Sequence, residues 1–187
     1  MGANRAFGNT EPADTLQQAL MALEQVALIP RCVSDLWRSP AWPPGRDAPD
    51  YHNAVVLVDP GPTPPAEMLA RLHRIEADFG RVRDPADRWA PRTLDLDLID
   101  QNGLVLVPAV DLVPAPVLPH PRVQERDFVL GPLLQVMPHW RHPVTGEAGA
   151  ALLERVLADL PAGRRASPLV KQPAGWRAAA RSCPGDA

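Results

Sequence analysis

Two aspartates, Asp95 and Asp97, stand one residue apart in Thr93-Leu94-Asp95-Leu96-Asp97-Leu98-Ile99. Apolar and polar residues alternate through this stretch, which is the period of a β-strand. Successive strand side chains point to opposite faces, so Leu94, Leu96 and Leu98 are predicted to enter a core. Asp95 and Asp97 then share the other face, with their Cα atoms about 7 Å apart. Paired carboxylates raise each other's pKa unless a cation lies between them. Hard oxygen ligands of this kind suit Mg²⁺, which prefers a few carboxylates completed by substrate phosphates. Arg81, Arg83, Arg88 and Arg92 precede the pair. Guanidinium groups hold phosphate through paired hydrogen bonds. Carboxylates for a metal beside arginines for phosphate point to phosphoryl or nucleotidyl transfer. A solvent-facing strand with two hydrated aspartates would carry the same Asp-x-Asp. The twelve residues from Arg88 to Ile99, taken whole, separate the two readings.

The elements that must position these groups follow from periodicity and breakers. Residues 1–11 read as a polar loop containing Gly2, Asn4, Gly8 and Asn9. A helix is predicted over Ala13–Ala27, with Leu16, Leu20, Leu23 and Ala27 on one face. Arg31–Arg38 reads as a strand. Ser39–Pro49 carries five prolines or glycines and is a loop long enough to be functional. Tyr51–Asp59 is a second strand. Thr63 is the expected cap of a helix that runs to Phe79, buries Met68, Leu69, Leu72 and Ile75, and stops at Gly80. Arg81–Pro91 is a charged loop leading into the Asp-x-Asp strand. Gln101-Asn102-Gly103 turns the chain back along Leu104–Val107 as a hairpin. Helices follow at Phe128–Val136 and Gly149–Leu160, and residues 161–187 read as a mobile Pro/Ala/Arg-rich tail.

The fold class is therefore α+β, a small antiparallel sheet covered by helices, in one domain over residues 1–160. It matches a ferredoxin-like core except that no strand is visible before the first helix, so the first strand is expected to be truncated. The 187 residues are 45 % apolar and carry a net charge of −3, which gives no global nucleic-acid or membrane footprint. Of the 19 basic residues only Lys171 is a lysine. Cys32 and Cys183 form no metal or redox motif, and a cytoplasmic setting fits. No signal peptide or membrane-length apolar run is visible. His139-x-x-His142 lacks a third ligand and is read as surface, and Trp140 beside it as packing. Trp176 has no assignable role.

The Arg88–Ile99 stretch resembles the signature of the 6-hydroxymethyl-7,8-dihydropterin pyrophosphokinases, a family of folate-synthesis enzymes. Arg88, Ala90, Pro91, Arg92, Asp95, Asp97, Leu98 and Ile99 fill every specified place. Gly2-Ala3-Asn4 resembles the turn after that family's first strand. Gly80-Arg81-Val82-Arg83 resembles the start of its catalytic loop, and Pro119-His120 with Arg126-Asp127-Phe128 its later Pro-His…Arg-x-Phe segment.

The resemblance implies Mg²⁺-ATP and 6-hydroxymethyl-7,8-dihydropterin as substrates and AMP as one product. It implies that Asp95 and Asp97 bridge two Mg²⁺ ions on ATP, and that Arg83 and Arg92 are catalytic with them. His73, Arg81, Arg83, Trp89, Leu98, His120 and Arg126 would contact ATP. Ser39, Pro40, Trp42, Tyr51, Asn53, Trp89 and Phe128 would form the pterin pocket, with Trp89 and Phe128 sandwiching the ring. Trp37, Ser39 and Ala41-Trp42 depart from the family's usual residues there. The other readings are a different two-metal nucleotidyl or phosphoryl transferase, and an N-truncated nucleotide-binding or interaction module. Neither a nucleic-acid nor a membrane partner is implied, and a monomer is the expected state.

Overall fold

The computed structural model describes residues 1–41, 48–82, 90–107 and 116–176. Six short strands and four α-helices alternate in it: β1 (Gly2–Ala3), α1 (Pro12–Gln25), β2 (Ile29–Val33), β3 (Trp37–Ser39), β4 (Tyr51–Asn53), β5 (Val56–Asp59), α2 (Pro65–Asp78), α3 (Asp127–Val136), α4 (Gly149–Asp159) and β6 (Ser167–Pro168). All pairing is antiparallel, in the order β1-β4-β3-β6 and in a separate β2-β5 pair. This is the expected α+β layout. Among the described residues no helix is long and apolar enough to cross a membrane.

A strand does precede α1, which corrects the sequence reading. Gly2 and Ala3 pair with Asn53 and His52 of β4. On its other side Gly2 exchanges both backbone hydrogen bonds with Asp95, each 2.8 Å. The Asp-x-Asp stretch is thereby docked by one bridge rather than by a continuous ladder. Its alternation still holds: Leu94 and Leu96 are buried, while Asp95 and Asp97 lie on the more accessible side.

Each long predicted strand is two. Arg31–Arg38 divides into β2 and β3, and Tyr51–Asp59 into β4 and β5. The break comes at Ser34 opposite Val55. Ser34 N–H donates to the Val55 carbonyl, but Val55 N–H donates to Ser34 Oγ instead of to a carbonyl. A side chain taking a backbone place interrupts the ladder there. The predicted hairpin arm also differs. Asn102 and Gly103 take positive φ (54° and 70°), as a tight two-residue turn requires. Leu106 then bridges to Leu118 instead of running back along the Asp-x-Asp stretch.

The core lies between the helices and the sheets. α1 contributes Leu16, Ala19, Leu20 and Leu23, and α2 contributes Met68, Leu72 and Ile75. Leu130, Leu133 and Val136 of α3 meet Leu152 of α4 and Trp140 in a second cluster. Pro64, not Thr63, occupies the cap position of α2, with no side-chain cap bond. From Pro161 to Trp176 the chain packs where the sequence suggested a tail. β6 pairs with β3, and Trp176 is buried with its Nε1 donating to the Ser34 carbonyl at 2.9 Å. His142 is buried rather than on the surface, its Nδ1 accepting the Val144 and Thr145 N–H groups. Cys32 is buried.

α1 and α2 end alike. After α2, Gly80 N–H donates to Ala77 and Arg81 N–H to Glu76; after α1, Ala27 N–H donates to Glu24 and Leu28 N–H to Leu23. This double bond needs a left-handed residue between helix and exit. Gly80 supplies it at φ 69°, but Ala27 adopts φ 60° with a side chain, is exposed, and ends the helix short of the predicted face. Left-handed backbone costs a residue with Cβ roughly 1–2 kcal/mol. Ala27→Gly is therefore expected to raise the unfolding free energy by about 0.5–1 kcal/mol, part of the strain relief being offset by unfolded-state entropy. Gly80→Ala is expected to lower it by more than about 1 kcal/mol, because the new Cβ would also sit 2.8 Å from the Phe7 ring. Denaturant titration of both variants measures the opposite signs.

Candidate active site

Asp95, Asp97, Arg92 and Arg126 line a cleft of about 140 Å³ together with Ser39, Pro40, Tyr51, Asn53 and Phe128. Every described residue assigned to the pterin pocket thus meets the aspartates. A larger, mostly aliphatic cavity of about 420 Å³ lies beside it, between Val55–Val58 and the 96–103 segment. Leu98 faces that cavity and not the charged cleft. In the smaller space charges of both signs converge on an aromatic and apolar wall.

Each charged group is fixed by its local structure. Arg92 is anchored at its backbone by Asn4, a residue 2 % exposed. Asn4 N–H donates to the Arg92 carbonyl at 3.0 Å, and Asn4 Oδ1 accepts Arg92 N–H at 2.8 Å. Asn4 Nδ2 also donates to the Pro49 carbonyl at 3.1 Å, tying in the start of β4. Arg81 leaves α2 through the Gly80 cap, so its side chain turns directly under the Asp-x-Asp stretch. Asp95 accepts from both Arg81 and Arg92. Burial pushes the Asp95 carboxyl up, but the Arg92 and Arg81 guanidiniums outweigh burial and hold it below the usual carboxylate range.

Asp97 faces Arg126 Nη1 at 3.5 Å and His120 Nε2 at 3.9 Å. His120 Nδ1 accepts the Arg122 N–H at 3.1 Å, which leaves the ring hydrogen of the neutral form on Nε2, toward Asp97. Burial lowers the His120 pKa below 6.5, more than Asp97 raises it. On the apolar side, Asn53 Nδ2 donates to Ser39 Oγ at 2.9 Å, with both residues nearly buried. Gly2 passes close to the Asn53 amide, where a Cβ would lie 3.1 Å from Oδ1. Arg126 stands over the Phe128 ring at 5.7 Å, a cation–π distance.

His73 is exposed on α2 and is not in the cleft wall. Trp42, Arg83 and Trp89 lie outside the described residues. Glu76 was missed. It is 2 % exposed on α2, and its Oε1 accepts Leu96 N–H at 2.8 Å and Arg81 at 2.5 Å. Its signal was available, since a carboxylate next to Ile75 falls on a face the helical period buries. Among the described residues no group of three His, Cys, Asp or Glu gathers to hold a metal alone. The hard-oxygen pair Asp95 and Asp97 fits Mg²⁺ completed by phosphate oxygens rather than a closed protein cage.

Paired carboxylates and arginines converging on one cleft are the groups a phosphoryl-group transferase uses. Residues 1–138 match the family model for 7,8-dihydro-6-hydroxymethylpterin-pyrophosphokinase. The 2-amino-4-hydroxy-6-hydroxymethyldihydropteridine pyrophosphokinase of Synechocystis sp. is 41 % identical over 152 residues, covering 80 % of this chain and 72 % of the relative. That of Pseudomonas aeruginosa is 38 % identical over 149 residues, covering 76 % and 81 %. A folic acid synthesis protein of Pneumocystis carinii is 38 % identical over 112 residues, covering 60 % of this chain and 14 % of that protein. The chain belongs to the 7,8-dihydro-6-hydroxymethylpterin-pyrophosphokinase family. Its reaction is transfer of pyrophosphate from ATP to the hydroxymethyl group of the dihydropterin, in folate biosynthesis.

The Asp95 ion pairs have a pH signature. A carboxyl whose folded pKa lies below its unfolded value of 3.8 stabilises the fold above that pH. The contribution is lost as pH falls through the folded pKa. Asp95→Asn is therefore expected to destabilise at pH 7 and to approach the parent chain as pH drops below 3.8. Urea titrations at a series of pH values test this, and a pH-independent gap would contradict it.

Proposed function

We propose that Asp95 and Asp97 hold two Mg²⁺ ions with the ATP phosphates, and that Arg83 and Arg92 carry the catalytic charge. A metal there would neutralise phosphate charge and polarise the transferring group. The chain's own residues do the rest. Arg81, Arg126 and neutral His120 orient the triphosphate over the cleft, with His73, Trp89 and Leu98 completing the ATP contacts. His120 donates from Nε2, and both arginines donate without giving up a proton. Phe128 and Trp89 stack on the pterin, while Asn53, Tyr51, Ser39, Pro40 and Trp42 close around its edge.

The pterin hydroxyl attacks the β-phosphorus, the bond to the α-phosphate breaks, and AMP leaves. Catalysis of this kind is mainly positioning and charge stabilisation. The chain works as a cytoplasmic monomer on this reading. The observation that supports it most is that Asp95, Asp97, Arg92 and Arg126 share one cleft with Asn53, Tyr51 and Phe128.

AMP release from Mg²⁺-ATP, with and without 6-hydroxymethyl-7,8-dihydropterin, tests the assignment. The parent chain is expected to release AMP only with the pterin. Losing several kcal/mol of metal-based stabilisation predicts a fall of at least about a hundredfold in Asp95→Ala and in Asp97→Ala. A rate retained in either variant removes that aspartate from the site. Phe128→Ala should raise the pterin KM more than the ATP KM, and an equal rise in both would remove it from the pterin pocket.

A further inference from the structure

We propose that Glu76 is a positioning residue that takes over the Arg81 charge when Asp95 binds a metal ion. The inference rests on the reading of Asp95 as a metal ligand. Glu76 lies on the buried face of α2 and is 2 % exposed, where an ionised carboxylate must have compensating partners. Two of them are defined. Leu96 N–H donates to Glu76 Oε1 at 2.8 Å, pinning the residue between the two aspartates. Arg81 Nη1 donates to the same oxygen at 2.5 Å. That Arg81 nitrogen also donates to Asp95 Oδ1 and reaches the Leu94 carbonyl at 3.3 Å. One guanidinium nitrogen is therefore shared by two carboxylates.

The backbone reinforces the arrangement, since Arg81 N–H donates to the Glu76 carbonyl at 3.0 Å. The Arg81 side chain is 9 % exposed, so water does little to screen its charge. A metal ion at Asp95 and the Arg81 cation compete for one carboxylate. Glu76 settles that competition by offering Arg81 a second anion that does not move. Without the Glu76 charge, Arg81 pairs more tightly with Asp95 and opposes the metal. A role confined to anchoring Leu96 N–H needs only an acceptor, which glutamine retains.

Mn²⁺ binding separates these roles without reference to turnover. Free Mn²⁺ is measured by electron paramagnetic resonance as protein is added with a non-hydrolysable ATP analogue. Glu76→Gln is expected to weaken Mn²⁺ binding about tenfold or more, the size of effect seen for residues that support metal ligands. The double variant Glu76→Gln/Arg81→Met removes the competing cation as well. With the ATP analogue held saturating, it is expected to bind Mn²⁺ several-fold more tightly than Glu76→Gln does, the lost Arg81 contact to ATP keeping it short of the parent chain.

Parent-like binding by Glu76→Gln overturns the proposal. So does binding by the double variant as weak as that of Glu76→Gln. If circular dichroism shows Glu76→Gln unfolded, the double variant decides. Mn²⁺ binding by it clearly tighter than that of Asp95→Ala supports the proposal, and binding no better than that of Asp95→Ala overturns it. Asp95→Ala is also the control for the underlying reading. If it binds Mn²⁺ as the parent does, Asp95 is no metal ligand, and both that reading and this proposal fall for a reason the Glu76 variants cannot produce.

Discussion

The two hydrogen bonds between Gly2 and Asp95 hold the rest of the site in register. A strand pairing fixes which way each side chain points, and a slip of one residue would exchange the faces. With Asp95 opposite Gly2, Leu94 and Leu96 enter the core and the carboxylates face the cleft. Gly2 also pairs with Asn53. The same two-residue strand thus sets the distance between the paired carboxylates and the Asn53 amide. Gly2 has no side chain to intrude on the Asn53 amide, where a Cβ would come within 3.1 Å of Oδ1.

Around that bridge the helices act as fixed supports for charge. Arg81 follows α2 through a capped exit, Arg126 immediately precedes α3, and Arg92 is tied at its backbone to Asn4. Each guanidinium begins from backbone that packing and hydrogen bonds already hold. Side-chain entropy is therefore the main freedom left for binding to remove. Preorganisation of this sort is how electrostatic stabilisation becomes catalytically useful.

The helices and the aspartate pair were legible because they rest on local rules. A period of 3.6 located α1 and α2, alternation gave the faces of the Asp-x-Asp stretch, and twelve consecutive residues carried the family signature. What stayed hidden depends on partners distant in sequence. Nothing near Ser34 announces that its hydroxyl will replace a carbonyl opposite Val55 and divide two strands. The stretch after Pro161 reads as tail by composition, and contacts with Ser34, Leu36, Asp127, Ala41 and β3, all distant in sequence, hold it down. A two-residue strand carries too few positions to show alternation. Ala27 misled the boundary of α1 because alanine favours helix, whereas here the Leu28 N–H to Leu23 bond imposes a left-handed exit. Glu76 lay in plain view beside Ile75 but was passed over, since the helical stripe was read for its apolar members alone.

The density of opposite charges in the cleft has its own logic. Asp95 with Arg81 and Arg92, and Asp97 with Arg126, satisfy one another at close range. A bare divalent cation arriving at this site would have to displace guanidiniums, and Arg92, unlike Arg81 with Glu76, would give up its Asp95 carboxylate. A bare triphosphate would have to draw the arginines from the carboxylates and leave those short of cations. Metal and triphosphate arriving together supply both missing charges, so every group trades one partner for another of the same sign. Desolvated charges tolerate exchange far better than loss. On the proposed assignment of the site, the arrangement would therefore favour the metal–nucleotide complex over either component, through the pairing of charges already present in the fold.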